Sequence, residues 1–436
     1  MSGSLRRAAG SLLVVGLGGA ELTGLERAWL RLVRPGGVIL FRRNIVDAEQ
    51  TRLLLEEATG LGALHAVRCV DVEGGTVNRL RDAIAAMPSA QAVCSASSPR
   101  SPSARDRGHP FVHPTHAQKT RMDGAQFSLA GGAPGGDASK QIPYGNDRKK
   151  SKGKNLARVH GELVARAVRA FGFNTTLAPV VDLVLPESIE VMGTRAPAAD
   201  PEQVTEFARE FLRGLEAQGV AGCGKHFPGL GGAEGDTHFV TPAIHRTWKQ
   251  IWEEDLAPYR ALHAAMPMIM TNHAAFPNTK GGMAPASASR FWITKVLRER
   301  IGYKGIILSD DLEMGGILKF LPVEDAAVEA VRVGTDLLEI CHSAELILRS
   351  FEALINEAER SAAFRTLLLE RARSCERKRA RLYAGGAGRA GGVAKALTAK
   401  QLEKLRDEIG RFREQVAAIA SAQEVEARAT SPAERT

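Results

Sequence analysis

Residues 220–242, VAGCGKHFPGLGGAEGDTHFVTP, hold the densest set of chemically capable groups in the chain. A short apolar run, Val220 to Cys223, ends in Lys225-His226. A stretch with Gly229, Gly231, Gly232 and Gly235 then leads to Asp236-Thr237-His238. Glycine lets a loop bend freely and approach a ligand closely. An Asp and a His two positions apart on such a loop can touch, so the carboxylate can orient the imidazole and raise its pKa. A general acid working near neutral pH can be built in this way. An ordinary glycine-rich turn carries the same residue types, so the decision rests on what else the chain offers.

Further polar clusters follow short apolar runs elsewhere. Asp71-Val72-Glu73-Gly74-Gly75, with Arg79 just beyond, follows AVRCV, and Met192-Gly193-Thr194-Arg195 lies in the loop after TTLAPVVDL. Asn272-His273 ends MIMTNH, and Ser309-Asp310-Asp311 ends GIILSD. For any one residue, a helix cap or a salt bridge is explanation enough. Five strand ends carrying such clusters are harder to assign to caps alone.

The elements that must position these groups alternate regularly. Apolar, β-branched runs occur at 12–15, 37–41, 66–70, 175–183, 220–226, 268–273, 305–310 and 336–341. Helical patterns lie at Leu22–Leu32, Asp47–Ala58, Val159–Phe171, Pro201–Gln218, Thr247–Ala265, Ser289–Arg300 and Pro322–Val333, with Ser343–Arg379 continuing after the last strand. Eight strands alternating with helices predict an α/β fold, a parallel (β/α)8 TIM-like barrel with right-handed crossovers. A doubly wound open sheet is the alternative. In the barrel, all five clusters share the C-terminal rim, where such folds bind substrate.

The chain has 436 residues, 44% hydrophobic and 25% charged, the composition of an ordinary globular protein. Its five cysteines, Cys69, Cys94, Cys223, Cys341 and Cys375, show no CxxC spacing, which argues for a reducing compartment and against a zinc site. No apolar run approaches a membrane span. The N-terminal SLRRAAGSLLVV imitates a signal peptide, yet it flows into GLGGAE and reads better as a first strand and its loop, so a cytoplasmic location is expected. A dinucleotide fingerprint at Gly16-Leu17-Gly18-Gly19-Ala20-Glu21 is rejected, because Glu21 stands where glycine is required.

The net charge of +9 invites a nucleic-acid reading. However, residues 95–154 carry 11 Lys and Arg against 4 Asp and Glu, so most of the excess sits in one segment. That segment is rich in Ser, Pro, Gly and Lys without hydrophobic period, and a disordered insertion is expected. His109, His113 and His116 within it match no metal-site spacing. The remaining inventory of carboxylates, arginines, a lysine and histidines suits transfer of a sugar, in which an acid protonates the departing oxygen and a carboxylate meets an oxocarbenium-like carbon.

DVEGGTVNRL (71–80), VMGTR (191–195), KHFPGLGG with DTH (225–238), PASAS (285–289) and SDDLEM (309–314) together resemble glycoside hydrolase family 3. The similarity is greatest to its single-domain bacterial β-N-acetylhexosaminidases of peptidoglycan recycling. It covers roughly residues 10–94 and 155–385. The resemblance implies a retaining exo-β-N-acetylhexosaminidase with Asp310 as nucleophile, His238 as general acid/base and Asp236 as its partner. It implies further that Asp71, Arg79, Arg195, Lys225 and His226 hold the non-reducing sugar, with no cofactor or metal. Leu230 departs from the family's usual KHFPGHG, and Asp311 is a rival nucleophile, although neighbouring strand residues face opposite ways.

A β-glucosidase or glycosidic phosphorylase of the same family, and a non-catalytic sugar- or nucleic-acid-binding barrel, are the alternatives. Expected partners are a carbohydrate substrate, no membrane and no nucleic acid, for a monomeric chain. Residues 1–384 read as the barrel with 95–154 inserted, and 385–436 as a hinge and C-terminal helix. Leu397, Leu402, Leu405, Ile409 and Phe412 recur there at helical spacing, which favours packing on the barrel's outside or fraying over dimerisation. Limited proteolysis should cut first near Arg121 or Arg148–Lys154; resistance of these bonds while the rest of the chain is digested would contradict the composition reading.

Overall fold

In the computed structural model, residues 2–97, 155–233, 241–383 and 396–430 are described. All eight expected strands form. They are β1 (Leu13–Gly16), β2 (Gly37–Leu40), β3 (Val67–Val70), β4 (Thr175–Thr176), β5 (Ala221–Phe227), β6 (Met268–Thr271), β7 (Ile306–Asp311) and β8 (Leu337–Ile340). They close into a parallel barrel in the order β1-β8-β7-β6-β5-β4-β3-β2. The strands are buried almost throughout, as expected when helices cover the outside and side chains fill the inside.

Several elements differ from the sequence expectation for identifiable reasons. The run at 175–183 yields only two ladder residues, because Pro179 has no N–H to donate. Pairing resumes at an isolated bridge between Val180 and Lys225, while Cys223 and Lys225 donate to the carbonyls of Ala178 and Pro179 at 2.8 and 3.2 Å. The pattern at Thr247–Ala265 breaks into Trp248–Gln250, a wide turn of helix at Ile251–Asp255, and Ala257–Leu262, where Pro258 lies in the first turn. Ser343–Arg379 is two helices, Ala344–Arg360 and Ala362–Tyr383, interrupted at Ser361.

Ser2–Ser11, for which the sequence reading gave no helix ahead of the first strand, is a helix. It buries Leu5, Ala8 and Ala9 and packs on Ala344–Arg360 and Ala362–Tyr383. Tyr383 reaches into the barrel, its hydroxyl 2.7 Å from Thr175 Oγ1. Helices Leu156–Ala170 and Pro201–Ala217 approach closely because Gly161 and Gly214 leave room; a Cβ on Gly161 would lie 2.2 Å from the Phe211 carbonyl oxygen. Of the segment 95–154, residues 95–97 end the helix Ala90–Ser97, and 98–154 lie outside the described residues, as do His109, His113 and His116.

The C-terminal helix Ala399–Thr430 packs on the outside of the barrel. Leu405, Ile409, Phe412 and Val416 form its buried stripe. Phe412 stacks near the buried His160, with ring centroids 6.0 Å apart, and Arg406 Nε donates to the Ile84 carbonyl at 2.8 Å. Phe412→Ala should lower stability by about 3 kcal/mol in urea unfolding, since a buried ring is lost and a cavity left. A loss below about 1 kcal/mol would mean that the helix is frayed in solution.

Candidate active site

The rim is built around a buried ammonium. Lys225 lies in β5, and its Nζ sits 2.8 Å from Asp71 Oδ1 and 2.7 Å from Glu73 Oε1. Asp71 follows β3 directly. Glu73 lies on a short hairpin, Val72–Gly74 with Val77–Asn78, whose turn runs through Gly74 and Gly75 at φ 99° and 59°. Those angles favour glycine, and the turn sends Glu73 inward. Glu73 also receives two parallel bonds of 2.8 Å from the Arg195 Nε and Nη2, the bidentate geometry that fixes a guanidinium most firmly.

Burial alone would raise both carboxyls, but the cations beside them win. Lys225 and Arg79 hold Asp71 below its ordinary value, and Arg195 and Lys225 hold Glu73 far below. Burial likewise opposes the charge on Lys225, and Asp71 and Glu73 overcome it, raising its pKa. The cluster is therefore charged throughout the neutral range.

His226, next on β5, is oriented from behind by Asp182. Its Nδ1 lies 2.7 Å from Asp182 Oδ2, and the same carboxylate accepts the backbone N–H groups of His226 and Leu230. The His226 Nε2 lies 3.4 Å from Arg195 Nη2 at the cavity wall. Asn272, from the end of β6, donates to the carbonyls of His226 and Gly229 and so ties down the start of the glycine-rich loop. The far end of that loop is tied by Arg246, whose Nε donates to Asp255 at 2.8 Å. Asp236 and His238 lie between these anchors, outside the described residues.

Asp71, Arg79, Arg195, Lys225, His226 and Asp310 all line one cavity of about 280 Å³. The Arg79 Nε is buried 3.9 Å from Asp71 Oδ2. Asp310 and Asp311 are both among the residues that line the cavity. Engagement separates them. Asp311 accepts from Glu313 N at 3.1 Å and pairs with His342 Nε2 at 3.3 Å. Glu313 accepts the backbone N–H groups of His342 and Ser343. Asp310 accepts only the N–H of Asp311, at 3.0 Å, among the described residues.

Residues 141–366 match the model of the glycosyl hydrolase family 3 N-terminal domain. A β-hexosaminidase of Thioalkalivibrio sulfidiphilus is 31% identical over 347 residues, spanning 80% of this chain and 85% of the relative. The chain belongs to glycosyl hydrolase family 3. A second family relative, a β-hexosaminidase of Pseudomonas aeruginosa, is 31% identical over 350 residues, spanning 78% of this chain and 86% of its own. Among solved structures, a family 3 β-N-acetylglucosaminidase from a Paenibacillus species superposes with TM-score 0.71 at 25% identity, over 94% of this chain and 68% of that one. NagZ from Neisseria gonorrhoeae, in complex with N-trifluoroacetyl-D-glucosamine, gives 0.60 at 25% identity over 84% and 98%.

Three residues escaped the sequence reading of this family 3 site. Glu73 was visible in the rim cluster but not distinguished from its neighbours. Asp182 is a lone acid inside an apolar run, and that was its signal. Glu339 is a second such acid, in β8, and it lines the same cavity with its Oε1 unpartnered among the described residues. Burial, with Asp310, Asp71 and Asp311 near, pushes its pKa well above the ordinary carboxyl range.

Glu73→Gln should leave Lys225 and Arg195 buried with half their compensation, lowering stability by about 3 kcal/mol. A denaturant midpoint equal to that of the wild type would show that Glu73 does not hold the cluster together.

Proposed function

We propose that this chain is a retaining exo-β-N-acetylhexosaminidase that removes terminal β-linked N-acetylglucosamine. The observation that carries the reading is the state of the carboxylates around the cavity. Asp71 is held by cations, Asp311 and Glu313 by His342 and backbone N–H groups, and Glu339 is buried with a raised pKa. Asp310 faces the cluster with no cation paired to it among the described residues. A carboxylate so placed is available to bond to carbon. The relatives named β-hexosaminidase supply the substrate class.

In this mechanism Lys225, Arg79 and Arg195 donate to the sugar hydroxyls, and Asp71 and the His226 Nε2 accept from them. Asp310 attacks the anomeric carbon as the glycosidic C–O bond breaks, and His238 gives its proton to the departing oxygen. Water then attacks the same carbon, returns a proton to His238 and frees Asp310. Asp236 orients His238. Two displacements at one carbon retain the configuration. The reading extends to peptidoglycan fragments as natural substrates, acted on by a monomeric enzyme in the cytoplasm. In support, all five cysteines are free and buried, and no helix among the described residues is long and apolar enough to cross a membrane.

A 2-fluoro-sugar that traps the glycosyl-enzyme should label Asp310, and Asp310→Ala should remove both labelling and turnover; a label on Asp311 would overturn the assignment. His238→Ala should depress hydrolysis of poor leaving groups by roughly a hundredfold or more while sparing activated phenyl glycosides. Equal losses on both would remove His238 as the acid. Chromogenic β-N-acetylglucosaminides should be preferred over β-glucosides, with phosphate having no effect on the rate.

A further inference from the structure

The opposite end of the barrel carries a second cavity, of about 450 Å³. Ser11, Arg34, Ala63 and Leu64 line it just before β1, β2 and β3 begin, so it opens at the N-terminal ends of the strands. The sugar cavity lies at their C-terminal ends. Four arginines from three parts of the chain converge on the second cavity: Arg7 from Ser2–Ser11, Arg34 from the turn before β2, and Arg373 and Arg379 from Ala362–Tyr383. A single carboxylate, Glu376, lines it with them. Arg7, Arg34 and Arg373 are exposed, and none has an acidic partner among the described residues.

Arg379 decides the reading. It is fully buried at 0% exposure, and its Nη1 donates to the Gly36 carbonyl at 2.6 Å. Its Nε is buried with no hydrogen-bond partner, and no carboxylate pairs with it among the described residues. The adjacent Lys378 shows the contrast: it pairs with Asp336 at 2.8 Å, and Asp336 also pairs with Arg298. A buried guanidinium without a counter-charge is costly unless something supplies one.

We propose that this cavity binds a phosphate dianion, free or carried by a small phosphorylated metabolite. The guanidinium forks of Arg7, Arg34 and Arg373 can each match phosphate oxygens two at a time, with the unpaired charge of Arg379 buried behind them. The site is independent of the glycosidase reading, because none of its residues lines the sugar cavity.

The test uses the full-length protein at ionic strength held constant with potassium chloride. Inorganic phosphate and glucose 6-phosphate are each titrated calorimetrically and by thermal unfolding. Saturable binding of at least one, raising Tm, is expected. Arg34→Ala with Arg373→Ala, both exposed positions, should weaken it by about tenfold or more. Hydrolysis of a chromogenic β-N-acetylglucosaminide without phosphate should be unchanged and reports that the variant is folded. Binding of inorganic phosphate and the sugar phosphate with equal affinity identifies the phosphate alone as the ligand; tighter binding of the sugar phosphate identifies a metabolite. Absence of saturable binding by both, equal binding by the double variant, or binding of a DNA duplex in preference to either, overturns the proposal.

Discussion

The sugar cavity depends on a lysine that is almost wholly buried beneath it. Lys225 has a side chain only 3% exposed, and burying an ammonium ion costs several kcal/mol unless its charge is matched at close range. Asp71 and Glu73 match it, and Glu73 in turn holds Arg195. These four residues come from the end of β3, the hairpin after it, the loop after β4, and β5. Each is fixed by a partner on another segment, so the rim is held in place by charge as well as by the strands below it. Close pairing, which outweighs burial, keeps Asp71, Glu73 and Lys225 charged at physiological pH, so this wall of the cavity carries fixed charges.

The barrel register makes this possible. Parallel pairing of β3 with β4 and of β4 with β5 brings Cys69, Thr175 and Ala221 level, so residues a few positions later emerge at a common rim. Glu339 in β8 is level with Asp311 in β7, beside Asp310. The same pairing therefore gathers the carboxyl groups of Asp310, Asp311 and Glu339 on one side of the cavity. Burial and the neighbouring acids raise the pKa of Glu339 there.

Most of the fold was legible because buried parallel strands are continuous apolar runs, and eight of them in alternation with helices allow few topologies. The shortness of β4 was also legible in principle, since Pro179 interrupts its run. The N-terminal helix was missed although Leu5, Ala8, Ala9 and Leu12 carry helical spacing, because two arginines before an apolar run also describe a leader. The site was legible wherever a polar residue ended a run. It was hidden where an acid interrupted one, as at Asp182 and Glu339, whose importance depends on what lies across the barrel. Strand alternation alone does not separate Asp310 from Asp311, since both line the cavity; what differs is that Asp311 is engaged by His342 and the Glu313 N–H, partners the sequence pattern does not reveal.

The central claim, that a carboxylate of this cavity forms a bond to the anomeric carbon, is tested most directly by the configuration of the first product. Proton NMR during the opening minutes of hydrolysis of a β-N-acetylglucosaminide, before mutarotation, should show the β-anomer of N-acetylglucosamine appearing first. Initial appearance of the α-anomer would mean a single displacement by water and would contradict the covalent role given to Asp310.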